Sequence, residues 1–182
     1  MAPYVTRREA LGGAAAALLL ASCGGGDPPP VTGPRPGSGV ALLGSLLALQ
    51  RATIAAYGAC EEVLRGDALA SARDIREQEA AIASDLKVIM GGAGAEVPPG
   101  RSDEEYRRTF PRLQSAGDAL HFADDLEQRQ VRAYLDALND FPHEANRATA
   151  ADTAARQGAH LAVIRMLRGL PPAEGPFVTG SL

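Results

Sequence analysis

Five polar side chains stand where apolar ones belong: Gln50, Glu79, Glu127, Gln157 and His160 each fall on the core-facing stripe of a helical pattern. A polar group in a dry core costs several kcal/mol unless it is paired, so these five bind either a ligand or one another. Two carboxylates and an imidazole are ligand types for a divalent transition-metal ion, and the amide carbonyls of Gln50 and Gln157 are weaker oxygen donors. Spacing adds to this. Gln157 and His160 are i, i+3 and so share one helix face a turn apart, as do Glu79 and Ile82.

The same positions carry an internal repeat. Leu49-Gln50 with Tyr57 returns 77 residues later as Leu126-Glu127 with Tyr134, and Glu79-Ala-Ala-Ile82 returns 78 residues later as Gln157-Gly-Ala-His160. A chain that repeats at this interval reads as two related helical hairpins.

Steps of three and four define the elements that hold these residues. Leu43, Leu47, Gln50, Ile54, Tyr57, Glu61 and Leu64 form one stripe, which Gly66 ends, with Asp67 placed to cap the next helix. Ile75, Glu79, Ile82, Leu86 and Ile89 form the second, as far as Gly91-Gly92. So short a link predicts an antiparallel hairpin. Leu120, Asp124, Glu127, Val131, Tyr134 and Leu138 form the third stripe, and Thr153, Gln157, His160, Ile164 and Leu167 the fourth, parted around Pro142. Between the hairpins, residues 93–114 contain Pro98-Pro99-Gly100 and a capping box at Ser102-Asp103-Glu104-Glu105 that opens a short helical turn. A connection of that length can run the full height of a bundle. The expected fold is therefore all-α, two antiparallel hairpins joined by one long crossover.

The first residues describe an address. Thr6-Arg7-Arg8-Glu9-Ala10-Leu11 precedes a short apolar run from Gly12 to Ala21, which resembles a twin-arginine export signal and is too short to span a bilayer. Leu20-Ala21-Ser22-Cys23 looks like a bacterial lipobox, with cleavage before Cys23 and lipid on the new N-terminal cysteine. Residues 23–39, rich in Gly, Pro and Ser, read as a tether. Residues 40–170 are the bundle and 171–182 a tail. The expected location is the periplasmic or extracellular face of a bacterial membrane, held there by lipid.

Charge narrows the partners. Lys+Arg 18 against Asp+Glu 22 gives −4, and loss of Arg7, Arg8 and Glu9 with the leader makes it −5, which argues against nucleic acid. A membrane, a second copy of the chain or another envelope protein are the partners this leaves. With Cys23 lipidated, Cys60 has no partner and reads as a small buried helix residue. His121 and His143 read as solvated, Arg73, Asp74, Arg76 and Glu77 as an exposed mixed-charge face, and Asp124 as a helix-edge neighbour of the site. No phosphate loop, nucleophile elbow or paired metal cysteines occur.

From residue 40 onward the chain resembles the ferritin-like domain proteins of bacteria, in particular an exported, lipoprotein-like branch. The likeness rests on Leu-Gln-Arg-Ala-Thr-Ile-Ala-Ala-Tyr (49–57), Asp-Leu-Glu-Gln-Arg-Gln-Val-Arg-Ala-Tyr (125–134), His160 with the apolar run after it, and Phe177-Val178-Thr179-Gly180. The resemblance implies a ferritin-like four-helix bundle. It places the helix-one Glu of a di-metal centre on Gln50, the first Glu-x-x-His on Glu79 and Ile82, the helix-three Glu on Glu127 and the second Glu-x-x-His on Gln157 and His160. A second register, through Glu77-Gln78-Glu79-Ala80, is open on the second helix, and neither supplies a histidine.

Two carboxylates balance one divalent ion and leave a second uncompensated in a low-dielectric core. Two outcomes follow. The favoured one is a non-enzymatic, membrane-tethered module whose centre has lapsed to a metal-free polar network. The alternative is a mononuclear transition-metal protein, with iron held by Glu79, Glu127 and His160 and oxidase-type chemistry.

Overall fold

In the computed structural model, residues 38–173 are described; Arg7, Arg8, Cys23 and Phe177 to Gly180 lie outside them. These residues form four long helices and one short one: α1 (Ser38–Val63), α2 (Gly66–Gly92), α3 (Asp103–Arg107), α4 (Ala116–Asp140) and α5 (Glu144–Leu167). No strand occurs among the described residues. At 1.5 Å per residue each long helix is about 36–40 Å tall.

Side-chain partners fix the directions. Tyr57 and Gln50 on α1 meet Glu127 and Tyr134 on α4, so as α1 ascends α4 descends. Gln50 and Glu61 on α1 meet Glu79 and Arg76 on α2, again antiparallel. Glu79 meets Gln157 and His160 on α5. The helices α2 and α4 are thus parallel, as a full-height crossover requires. That crossover tracks α1 from end to end: Pro98 lies near Gly44, Arg51 Nη1 donates to the Pro98 carbonyl at 2.7 Å, and Arg107 pairs with Glu62 at 2.5 Å. The capping box forms as its sequence predicts, with Ser102 Oγ accepting from the Glu105 amide and Glu105 accepting from the Ser102 amide.

Helix ends depart from the expected positions in three places. The helix α1 stops at Val63, and Gly66, expected to end it, instead opens α2. Asp67 does not cap α2; Arg65 occupies that position and Asp67 sits in the first turn, where its charge faces the amino-terminal dipole. Gly91 and Gly92 do not stop α2. They are helical, and the chain turns at Gly94, whose φ of 69° is the left-handed conformation glycine tolerates. There the Gly94 amide donates to the Gly91 carbonyl and the Ala95 amide to that of Met90, which satisfies carbonyls the helix end would orphan. Gly169, with φ 73°, ends α5 the same way.

The core is divided in height. One apolar slab gathers Leu43, Leu47, Leu86, Met90, Phe141 and Ala150, and the other Cys60, Leu64, Ile75, Leu120, Leu126 and Ile164. Residues 39–63 of α1 are long and apolar enough to cross a bilayer by length and composition. In the bundle that helix faces both slabs and carries the buried Gln50, Thr53 and Tyr57 between them. A buried polar layer therefore separates the slabs: Gln50, Thr53, Glu79, Glu127, Gln130, Gln157 and His160.

Candidate metal centre

All five polar residues singled out as candidates, Gln50, Glu79, Glu127, Gln157 and His160, reach this layer. Gln50 and Thr53 come from α1, Glu79 from α2, Glu127 from α4, and Gln157 and His160 from α5. Glu79 and Glu127 are wholly buried and His160 is 4% exposed. Their ligand atoms lie within 4.8 Å of one another.

Each oxygen and nitrogen has a defined environment. Glu79 Oε1 lies 3.0 Å from His160 Nδ1, and Glu79 Oε2 accepts from Gln157 Nε2 at 3.2 Å and Gln130 Nε2 at 3.5 Å. Glu127 Oε1 accepts from the Tyr57 hydroxyl at 2.5 Å. Glu127 Oε2 has no hydrogen-bond partner; His160 Nδ1 is 3.8 Å away. A buried carboxylate oxygen without a donor is costly. It lies on the Nδ1 side of His160, as does Glu79 Oε1.

The imidazole is oriented by its far side. His160 Nε2 lies 3.0 Å from Gln78 Oε1, which is an acceptor only, so Nε2 carries a proton and donates. Nδ1 is thereby turned toward Glu79 Oε1 and, at 3.2 Å, Gln157 Oε1. A lone pair cannot face two acceptors without repulsion, so Nδ1 holds either a second proton or a cation. This is the second-sphere contact that sets the tautomer of metal-bound histidines.

Electrostatics agree. Burial pulls the imidazole pKa down, but the carboxylates of Glu127 and Glu79 outweigh it and lift His160 to about 9. Burial raises the Glu127 carboxyl above the usual carboxylate range; His160 and Tyr57 offset part of that rise, while Glu79 adds to it. The phenols of Tyr57 and Tyr134 are also pushed up, by burial first and then by the nearby carboxylates, so both stay protonated donors. Burial lifts the Cys60 thiol to about 12, consistent with an inert core residue.

The positions that the resemblance gives to a first ion are occupied otherwise. Gln50 Oε1 accepts from the Tyr134 hydroxyl at 3.0 Å and from Gln130 Nε2 at 3.3 Å, and Ile82 belongs to the apolar slab. Glu77 is exposed, so the alternative register places no ligand inside. His121 and His143 are exposed as expected. Asp124 differs: it is buried, paired with Arg168 and bonded to Gln128 at 3.3 Å, a structural tie between α4 and α5. Sequence reasoning missed Gln130, Thr53 and Gln78. The first two were within reach, because each lies three residues beyond a stripe position and so on the same face, next to Glu127 and Gln50 respectively.

A family model described as a ferritin-like domain matches residues 43–170. Among solved structures, that of a conserved hypothetical protein from Mycobacterium tuberculosis aligns with a TM-score of 0.64 at 18% identity, over 71% of this chain and 96% of that one. At such identity the likeness speaks for the fold alone. No curated protein matches the chain. With its hairpin topology and its family match in agreement, the chain belongs to the ferritin-like domain family.

Proposed function

We propose that this protein is a membrane-tethered ferritin-like module of the cell envelope that holds one divalent transition-metal ion, iron foremost, between Glu79, Glu127 and His160, in a binding rather than a catalytic role. The observation that carries it is the unpartnered, buried Glu127 Oε2, which converges with Glu79 Oε1 on a His160 ring already oriented by Gln78. Three ligands of this kind suit a single ion, and two carboxylates balance its charge. Bound there, a redox-active ion would supply one-electron chemistry, and the surrounding residues are arranged to hold rather than to react. Tyr57 fixes the Glu127 carboxylate, Gln157 and Gln130 fix that of Glu79, and all three ligands are shut from solvent.

A second reading has its own support. With a pKa of about 9, a doubly protonated His160 can bridge the carboxylates in place of an ion and leave a metal-free network. Elemental analysis separates the two. Protein folded with iron, manganese and zinc available is expected to retain about one equivalent of metal, and His160→Ala under about a tenth. Less than about a tenth in both proteins would leave the proton-bridged network as the answer.

The tether rests on Arg7-Arg8 and on Leu20-Ala21-Ser22-Cys23. Several acyl chains on Cys23 would hold the domain firmly, since each buried methylene adds about 0.8 kcal/mol. Cys23→Ala is expected to move the protein from the membrane to the soluble fraction on cell fractionation. Retention in the membrane would show that the anchor lies elsewhere.

A further inference from the structure

Gln130 is wholly buried, on the same face of α4 as Glu127 and one turn further on. Its amide nitrogen stands among three oxygens: Thr53 Oγ1 at 2.7 Å, Gln50 Oε1 at 3.3 Å and Glu79 Oε2 at 3.5 Å. The amide has two protons to give, so three acceptors exceed its capacity. Its own carbonyl Oε1 is buried with no partner. The reverse orientation would set oxygen against the Gln50 carbonyl and the Glu79 carboxylate, with the Thr53 hydroxyl already donating to the Leu49 carbonyl at 3.1 Å, so the side chain accepts one orphaned atom to place its nitrogen among them. Oxygens gathered from α1 and α2 around one positively polarised centre are what a hard or borderline cation seeks. Glu79 serves both neighbours, Oε1 toward His160 and Oε2 toward Gln130.

We propose that the Gln130 amide nitrogen occupies a second cation position in the polar layer and so fixes the centre at one ion. A neutral amide needs no counter-charge there, whereas a divalent ion would. Gln130→Glu keeps the shape, exchanges the nitrogen for oxygen and supplies one of the two negative charges a second divalent ion calls for. The inference rests on the single-ion reading for its baseline only.

The test compares wild type with Gln130→Glu, each folded with manganese(II) or iron(II), dialysed and measured by elemental analysis, with helicity and thermal melting followed in the presence and absence of the metal. Wild type is expected to hold about one equivalent and the variant about two, with a larger metal-induced rise in melting temperature. A folded variant at wild-type stoichiometry overturns the proposal. So does a variant that stays unfolded in excess metal, because the added oxygen has then found no cation. A wild type without metal sinks the single-ion reading instead, and the Gln130 position then stands or falls on whether the variant gains about one equivalent over it.

Discussion

Glu79→Ala is expected to lower the unfolding free energy of the metal-free bundle by about 3–5 kcal/mol, the range found when one partner of a buried charge pair is removed. Two effects oppose each other. Truncation relieves the desolvation of a fully buried carboxylate and its repulsion of Glu127. It also strips His160 Nδ1, Gln157 Nε2 and Gln130 Nε2 of their shared acceptor and leaves a cavity between the slabs. The second effect wins because the buried Gln157 Nε2 and the charged His160 Nδ1 lose their carboxylate acceptor, at roughly 1–3 kcal/mol each and more where charge is involved, while Gln130 Nε2 keeps Thr53 Oγ1 and Gln50 Oε1. Glu79→Gln keeps the volume and part of the bonding and should cost less than half as much. Urea denaturation followed by helical circular dichroism gives both values, and a loss under about 1 kcal/mol for Glu79→Ala would mean the layer is not paired as described.

The second large effect is a pH dependence that bound metal abolishes. His160 is held at about 9, above its ordinary value near 6.5, so its proton stabilises the folded metal-free protein fully below about 6.5 and that contribution is lost as pH rises through 9. The raised carboxyl of Glu127 acts in the same direction at lower pH, since the folded state again binds the extra proton. The melting temperature of the metal-free protein should therefore fall between pH 6.5 and 9, and His160→Gln should flatten the profile. An ion must displace the Nδ1 proton. Its apparent affinity should rise about tenfold per pH unit up to about 9, roughly a thousandfold from pH 6, with one proton released on binding. The two trends cancel, so metal-loaded protein should keep a level melting temperature between pH 6.5 and 9 and lose stability only below about 6.5, where the unfolded imidazole takes up the proton. Calorimetry in buffers of different ionisation enthalpy counts the proton, and an affinity flat with pH would exclude His160 as a ligand.

The fold was legible because its signal is periodic. Leu47, Tyr57, Leu86, Val131 and Ile164 return at helical spacing and all are buried, and the repeat of Gln50 and Tyr57 as Glu127 and Tyr134 marks the two hairpins as related. The same rhythm delivered the centre, since a polar residue on an apolar stripe has few places to go but the interior. What stayed hidden depends on partners distant in sequence. Asp124 is drawn inside by Arg168, and neither residue advertises the other. Gln78 is exposed and sits among charged residues, so nothing local marks it as the group that orients His160. Helix ends were misplaced for a different reason. A glycine is a permission to turn rather than an instruction, and of three glycines between Gly91 and Gly94 the backbone used the last.

The division of the core also bears on how the helices choose their alignment. The inward faces of α2 and α5 are rich in small side chains, among them Ala72, Ala83, Ala150 and Ala154, and small residues look alike at successive turns. Sliding one such helix by a turn, about 5.4 Å, would cost little if the core were apolar throughout. With a polar disc between two greasy ones, the same slip would carry Glu79 on α2 or His160 on α5 out of the layer into an apolar slab and strand its charge. The layer thus acts as an index mark shared by all four long helices, admitting one vertical alignment from several that packing alone would nearly tolerate.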